Sequence, residues 1–147
     1  QVTMLEDENS VISLADTGAH CGVLSEASIP TYLMAYFVRD RERGKRFELE
    51  RAVKMHTRDT ARCVGLEDRG TLEVGMKADV NIIDFDHLKL QSPEVIYDLP
   101  AGGRRMFQGA EGYTATIVSG EVVMQNGEVT GALPGRLIRG AQPAPGA

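Results

Sequence analysis

The stretch GTLEVGMKADVNIIDFD, residues 70–86, is where the chain changes character. Gly70 and Gly75 punctuate it, and the alternating run ADVNIIDF reads as a β-strand. Upstream the periodicity is helical. Pro30 suits the first turn of a helix over residues 31–44, in which Leu33, Met34, Phe37 and Val38 share one face and Gly44 ends the run. A second helix spans 48–57, with Leu49, Ala52, Val53 and His56 on one side. A short third helix follows over 57–66, with Thr57 as N-cap and Gly65 as stop. Downstream, residues 87–112 read mostly as loop, with Pro93, Pro100 and the turn AGGRR. Residues 114–131 read as a hairpin, turning at Ser119–Gly120 and carrying the strong turn pair Asn126–Gly127.

The outer parts of the chain are simpler. Residues 1–10 are polar loop, VISLA (11–15) is a short strand, and 16–30 is a loop flexed at Gly18 and Gly22. The tail GAQPAPGA is rich in Pro, Ala and Gly and reads as disordered. The class is therefore α/β, with a helical first half and short strands in the second. VISLA has no strand neighbour before residue 70. An orphan strand of this kind is expected where a chain closes a larger fold, and the start at Gln1 carries the same expectation that something precedes it.

Composition removes several function classes. The 147 residues suffice for one domain with a core. Apolar residues are 42% and charged residues 25%, the balance of a water-soluble globular protein. A net charge of −5 opposes binding to nucleic acid or to anionic membranes, which require a clustered positive surface. The densest basic stretch, RDRERGKR (39–46), is interrupted by Asp40 and Glu42 and reads as a solvated helix end. The longest apolar run, LMAYFV (33–38), is far short of the ~20 residues that cross a bilayer. The acidic N-terminal residues form no signal peptide. Two cysteines, Cys21 and Cys63, fit a reduced cytoplasmic compartment better than a disulfide scaffold.

Residues able to carry chemistry are few. Asp16 ends the VISLA strand in SLADTGAHCG (13–22). A carboxylate there can serve as a metal ligand or general base, or it can simply cap a turn. His20 can donate to a ligand or make a structural contact. His56 falls on an apolar helix face and reads as a satisfied, partly buried histidine, whereas His87 sits in an exposed loop. Neither His-x-His nor Cys-x-x-Cys occurs, so the chain by itself does not spell out a zinc site. Cys21 reads as a buried small residue and Cys63 as core. Arg104 and Arg105 are open to two readings, an anion site or surface loop arginines.

Taken together, three motifs resemble the C-terminal portion of a metal-dependent amidohydrolase, and specifically the N-acyl-D-amino-acid deacylase (D-aminoacylase) group. SLADTGAHCG resembles the end of that family's eighth barrel strand. DRGTLEVGMKADVNIIDFD (68–86) resembles its return from the barrel to a small β-domain. Residues 98–140, ending in TGALPGR and its flank, resemble its C-terminal run. The resemblance implies a (β/α)8 barrel with a small β-sandwich. Residues 1–66 would supply the last barrel strand, catalytic loop and closing helices. Residues 67–140 would supply sandwich strands, and 141–147 a disordered tail. It implies Asp16 as the catalytic carboxylate and metal-adjacent ligand, taking a proton from the attacking water and passing it to the leaving amine. It implies His20 as a substrate-loop residue, Zn2+ as the metal of the full-length enzyme, and a small N-acyl amide as substrate. The remaining metal ligands would lie on earlier strands, so the isolated segment should be inactive. Ala27 stands where some members carry a substrate-binding arginine, which leaves other N-acyl or cyclic amides open. Two further readings stay open: a stand-alone association module, and half of a two-chain enzyme. The partner would then be the rest of the barrel or a second copy.

Overall fold

The computed structural model describes residues 2–12, 20–23 and 26–146. A short helix α1 (Val2–Glu6) leads the chain. Helix α2 (Ile29–Tyr32) begins with Pro30 in its first turn, where a missing N–H costs nothing. It continues through Leu33–Asp40 in wider turns, and the Arg41 N–H reaches back five residues to the Tyr36 carbonyl at 2.8 Å. The anticipated face is the buried one. Leu33, Met34 and Phe37 are buried, and half-buried Val38 packs against the same cluster.

Helix α3 (Leu49–Lys54) runs without a break through wider turns at Met55–Asp59 into α4 (Thr60–Cys63). Thr57 is therefore not an N-cap. It lies inside the run, where its hydroxyl donates to the Val53 carbonyl at 2.8 Å, the usual outlet for a mid-helix threonine. Gly65 ends the run with φ +75°, as its position predicts. Cys63 is exposed rather than core, because α4 is a single turn with no buried residue. The helical core is Leu33, Phe37, Phe47 and Ala52, lined by Val2, Leu5 and Ile12. Each large side chain so buried contributes about 1.5–3 kcal/mol.

Among the described residues eight strands follow: β1 (Val80–Ile83), β2 (Lys89–Leu90), β3 (Glu94–Leu99), β4 (Gly103–Phe107), β5 (Ala110–Glu111), β6 (Tyr113–Val118), β7 (Glu121–Gln125) and β8 (Glu128–Val129). They form an antiparallel four-stranded sheet, β1-β6-β7-β8, and two ribbons, β2-β5 and β3-β4. The two turns of the 114–131 hairpin are as read. Ser119–Gly120 and Asn126–Gly127 all have positive φ, the signature of tight two-residue β-turns. Residues 87–112, read as mostly loop, instead carry β2 to β5. Their alternation is weak because β3 is exposed at four of its six positions.

The architecture is mixed α/β. Among the described residues every strand pair is antiparallel, and the one parallel contact is the bridge Leu66–Gln142. Of the expected barrel strand, residues 13–15 lie outside the described residues, and Val11 and Ile12 are not in a strand. The tail also departs from expectation. The Gln142 N–H donates to the Gly65 carbonyl and its own carbonyl accepts the Glu67 N–H, both at 2.8 Å. Among the described residues no helix is long and apolar enough to cross a membrane.

Candidate functional site

His20–Val23 forms a tight turn in which the His20 carbonyl accepts the Val23 N–H at 2.9 Å. His20 itself adopts φ +51° and is exposed. A positive φ is uncommon for a residue with a Cβ, though histidine tolerates it better than most. The turn is docked on β4, since the Met106 N–H donates to the Cys21 carbonyl at 2.7 Å. Cys21 is half-buried, not fully enclosed. Asp16, the candidate catalytic carboxylate and metal ligand, lies outside the described residues.

Beside Met106, Arg105 makes a two-point pair with Asp98, Nε to Oδ1 at 2.8 Å and Nη2 to Oδ2 at 2.7 Å. The Arg105 hydrogen bond holds the Asp98 carboxyl below the usual carboxylate range. The same pair raises the Arg105 pKa. Arg105 also lies over the Phe107 ring, 5.2 Å from its centroid. Of the two readings for these arginines, an anion site loses Arg105, because its guanidinium is already committed.

The described residues do not fit a metal. Among them no three His, Cys, Asp or Glu side chains gather to hold one. His87 is 81% exposed and pairs with Asp84 through Nδ1 at 2.8 Å. His56 is held in the helical part, where burial lowers its pKa and a hydrogen bond to the Pro30 carbonyl partly offsets that. Its Nε2 is buried without a hydrogen-bond partner, so the satisfied histidine of the sequence reading is only half satisfied.

The polar groups that fix this region were not singled out from sequence. In the 68–86 motif, Arg69 pairs with Asp68 at 2.8 Å and with Asp79 at 3.5 Å, and Lys77 reaches the same Asp79 carboxylate at 3.0 Å. Arg39 donates to the carbonyls of Phe85, Asp86 and Leu88, tying the α2 run to the loop after β1. The Thr31 and Tyr113 hydroxyls meet at 2.7 Å across the same junction. An open cleft of about 660 Å³ over Phe107, Glu111, Tyr113 and Met124 is not lined by His20.

Comparison with known proteins agrees with the general resemblance and differs on its finer branch. The model of the amidohydrolase family matches residues 2–124. A dihydroorotase of Lactobacillus helveticus (strain DPC 4571) is 36% identical over 107 residues, covering 71% of this chain and 24% of that protein. A dihydroorotase of Lactobacillus delbrueckii subsp. bulgaricus (strain ATCC BAA-365 / Lb-18) matches to the same extent. The chain thus spans about a quarter of the length of the curated relatives it matches. No solved structure matches it.

Proposed function

The chain belongs to the amidohydrolase family, and from that premise we propose that it is the closing segment of a C–N hydrolase acting on a small N-acyl amide. The family match over residues 2–124 carries this reading, since it runs through the SLADTGAHCG loop and the 68–86 motif together. Asp16 is the carboxylate that takes a proton from the attacking water and delivers it to the leaving nitrogen. His20, presented on an exposed turn, is the substrate-loop residue. The resemblance implies zinc, and a ligand set for it is not assembled among the described residues. The partner of this segment is the rest of the hydrolase domain, and exposed Leu72, Val74, Leu133 and Leu137 are the apolar surface available to it.

Two substrate classes remain within this reading. The motif resemblance favours linear N-acyl-D-amino acids, and the dihydroorotase relatives favour a cyclic amide. The discriminating experiment uses the whole protein that carries this chain, assayed with N-acetyl-D-amino acids and with dihydroorotate. Turnover of the first selects the linear amide and turnover of the second the cyclic one. Turnover of neither, by folded protein, counts against the hydrolase reading.

A further inference from the structure

The clearest unassigned relationship joins the His20 turn to the β3-β4 ribbon across more than eighty residues of sequence. In β4, Met106 is opposite Val95 of β3, yet its N–H is given to the Cys21 carbonyl, so the edge of β4 facing away from β3 is occupied there by the turn. The ribbon is stiffened where this happens. Arg105, one residue before, is locked to Asp98 by two hydrogen bonds and lies on Phe107. At its far end, Ala101 and Gly102 take positive φ to close the hairpin. His20 is adjacent to Cys21, so whatever fixes the Cys21 carbonyl fixes the backbone that presents the imidazole.

We propose that the β3-β4 ribbon is the positioning element of the substrate loop: Met106 holds the His20 turn through the Cys21 carbonyl, and the Arg105–Asp98 pair keeps the ribbon rigid. This rests on the reading of His20 as a substrate contact. Met106, Arg105 and Asp98 are positioning residues, acting on substrate affinity through His20 and not on the reacting atoms.

The test is Met106→Pro in the whole protein, with Met106→Leu as the matched control. Proline deletes this donor and sets its ring against the Cys21 carbonyl, while the pairing with β3 does not use the Met106 N–H. Two readouts separate the parts of the claim. Alkylation of Cys21 by iodoacetamide, followed by mass spectrometry, reports the turn directly, and exposed Cys63 serves as an internal standard. Steady-state kinetics reports the consequence. Met106→Pro is expected to raise the Cys21 labelling rate about fivefold, the factor set by one lost hydrogen bond, with Cys63 unchanged. It should raise KM by a similar factor with kcat retained, and that rise should vanish in a His20→Ala background. Asp98→Asn leaves every backbone donor in place and should move both readouts the same way by less, which keeps the test open if the proline variant does not fold. Unchanged Cys21 labelling in both variants would overturn the positioning claim. Raised labelling with an unchanged KM would overturn the role of His20 and leave the ribbon a structural brace only.

Discussion

The Asp79 carboxylate accepts the backbone N–H of Ser119 at 2.9 Å, which joins the start of the strand region to the turn between β6 and β7. Ser119 needs that anchor because it sits at φ +52°. Burial opposes ionisation of Asp79, but the Ser119 amide, Lys77 and Arg69 outweigh it and hold its pKa below the ordinary value. Asp79→Ala should destabilise the protein by about 1 kcal/mol through the lost turn anchor. Asp79→Asn, whose amide oxygen can still accept from Ser119, should cost less. A depressed carboxyl pKa gives stability that is present above the unfolded value of about 3.9 and lost as pH falls through the folded one. Urea unfolding between about pH 6 and about pH 3, across the carboxylate range, should show a shallower acid loss in Asp79→Asn.

Arg39 is the link between the helical part and the loop after β1, and it also pairs with Asp40 at 2.6 Å. One guanidinium serves three carbonyls, a geometry that lysine cannot reproduce. Arg39→Met should cost about 2 kcal/mol, and Arg39→Lys should recover less than half of it. Hydrogen exchange should show residues 84–88 losing protection in both variants.

Gly112 and Gly127 separate conformational strain from steric exclusion. Both have positive φ, but a Cβ at Gly112 would lie 2.7 Å from Leu88 Cα and 2.9 Å from the Asp84 carbonyl oxygen, whereas at Gly127 it would meet nothing within 4 Å. Gly127→Ala should cost about 1–2 kcal/mol, the left-handed penalty alone. Gly112→Ala should cost upward of about 3 kcal/mol, since it adds a clash with backbone at a fully buried leucine. Paired thermal melts of the two variants check the difference.

His56 makes stability depend on pH near neutrality. Its pKa in the folded state is lowered from 6.5, so the neutral imidazole is the form the fold accepts. The contribution is therefore present above about 6.5, the unfolded value, and is lost as pH falls through the lower folded value. His56→Gln removes the titration and keeps an amide donor for the Pro30 carbonyl. Unfolding free energy measured from about pH 7.5 to about pH 5.5, one unit either side of the ordinary histidine value, should fall in the parent protein and stay flatter in the variant.

What the sequence made legible was local. Leu33, Met34 and Phe37 were readable as one buried face because helical spacing puts them there. Asn126–Gly127 was readable because few residue pairs tolerate its backbone. The β3-β4 ribbon was not, because Val95 and Tyr97 are exposed and leave little alternation to detect. Cys63 misled because cysteine is usually buried, and only the shortness of α4 leaves it outside. The long-range ties, Arg39 to the 85–88 carbonyls and Met106 to Cys21, have no sequence period at all. They arise where the fold brings distant backbone groups within reach, and the candidate site depends on one of them.

The central claim is that this segment brings a working carboxylate to an amide-cleaving site, and Asp16 is the residue to change. The decisive measurement is kcat/KM for amide hydrolysis by the whole protein and by its Asp16→Asn variant, with folding checked by thermal melts. The account predicts a folded variant whose kcat falls by about 10²–10⁴, the range for losing a general acid–base. A folded Asp16→Asn variant that hydrolyses the amide at the parent rate would contradict it.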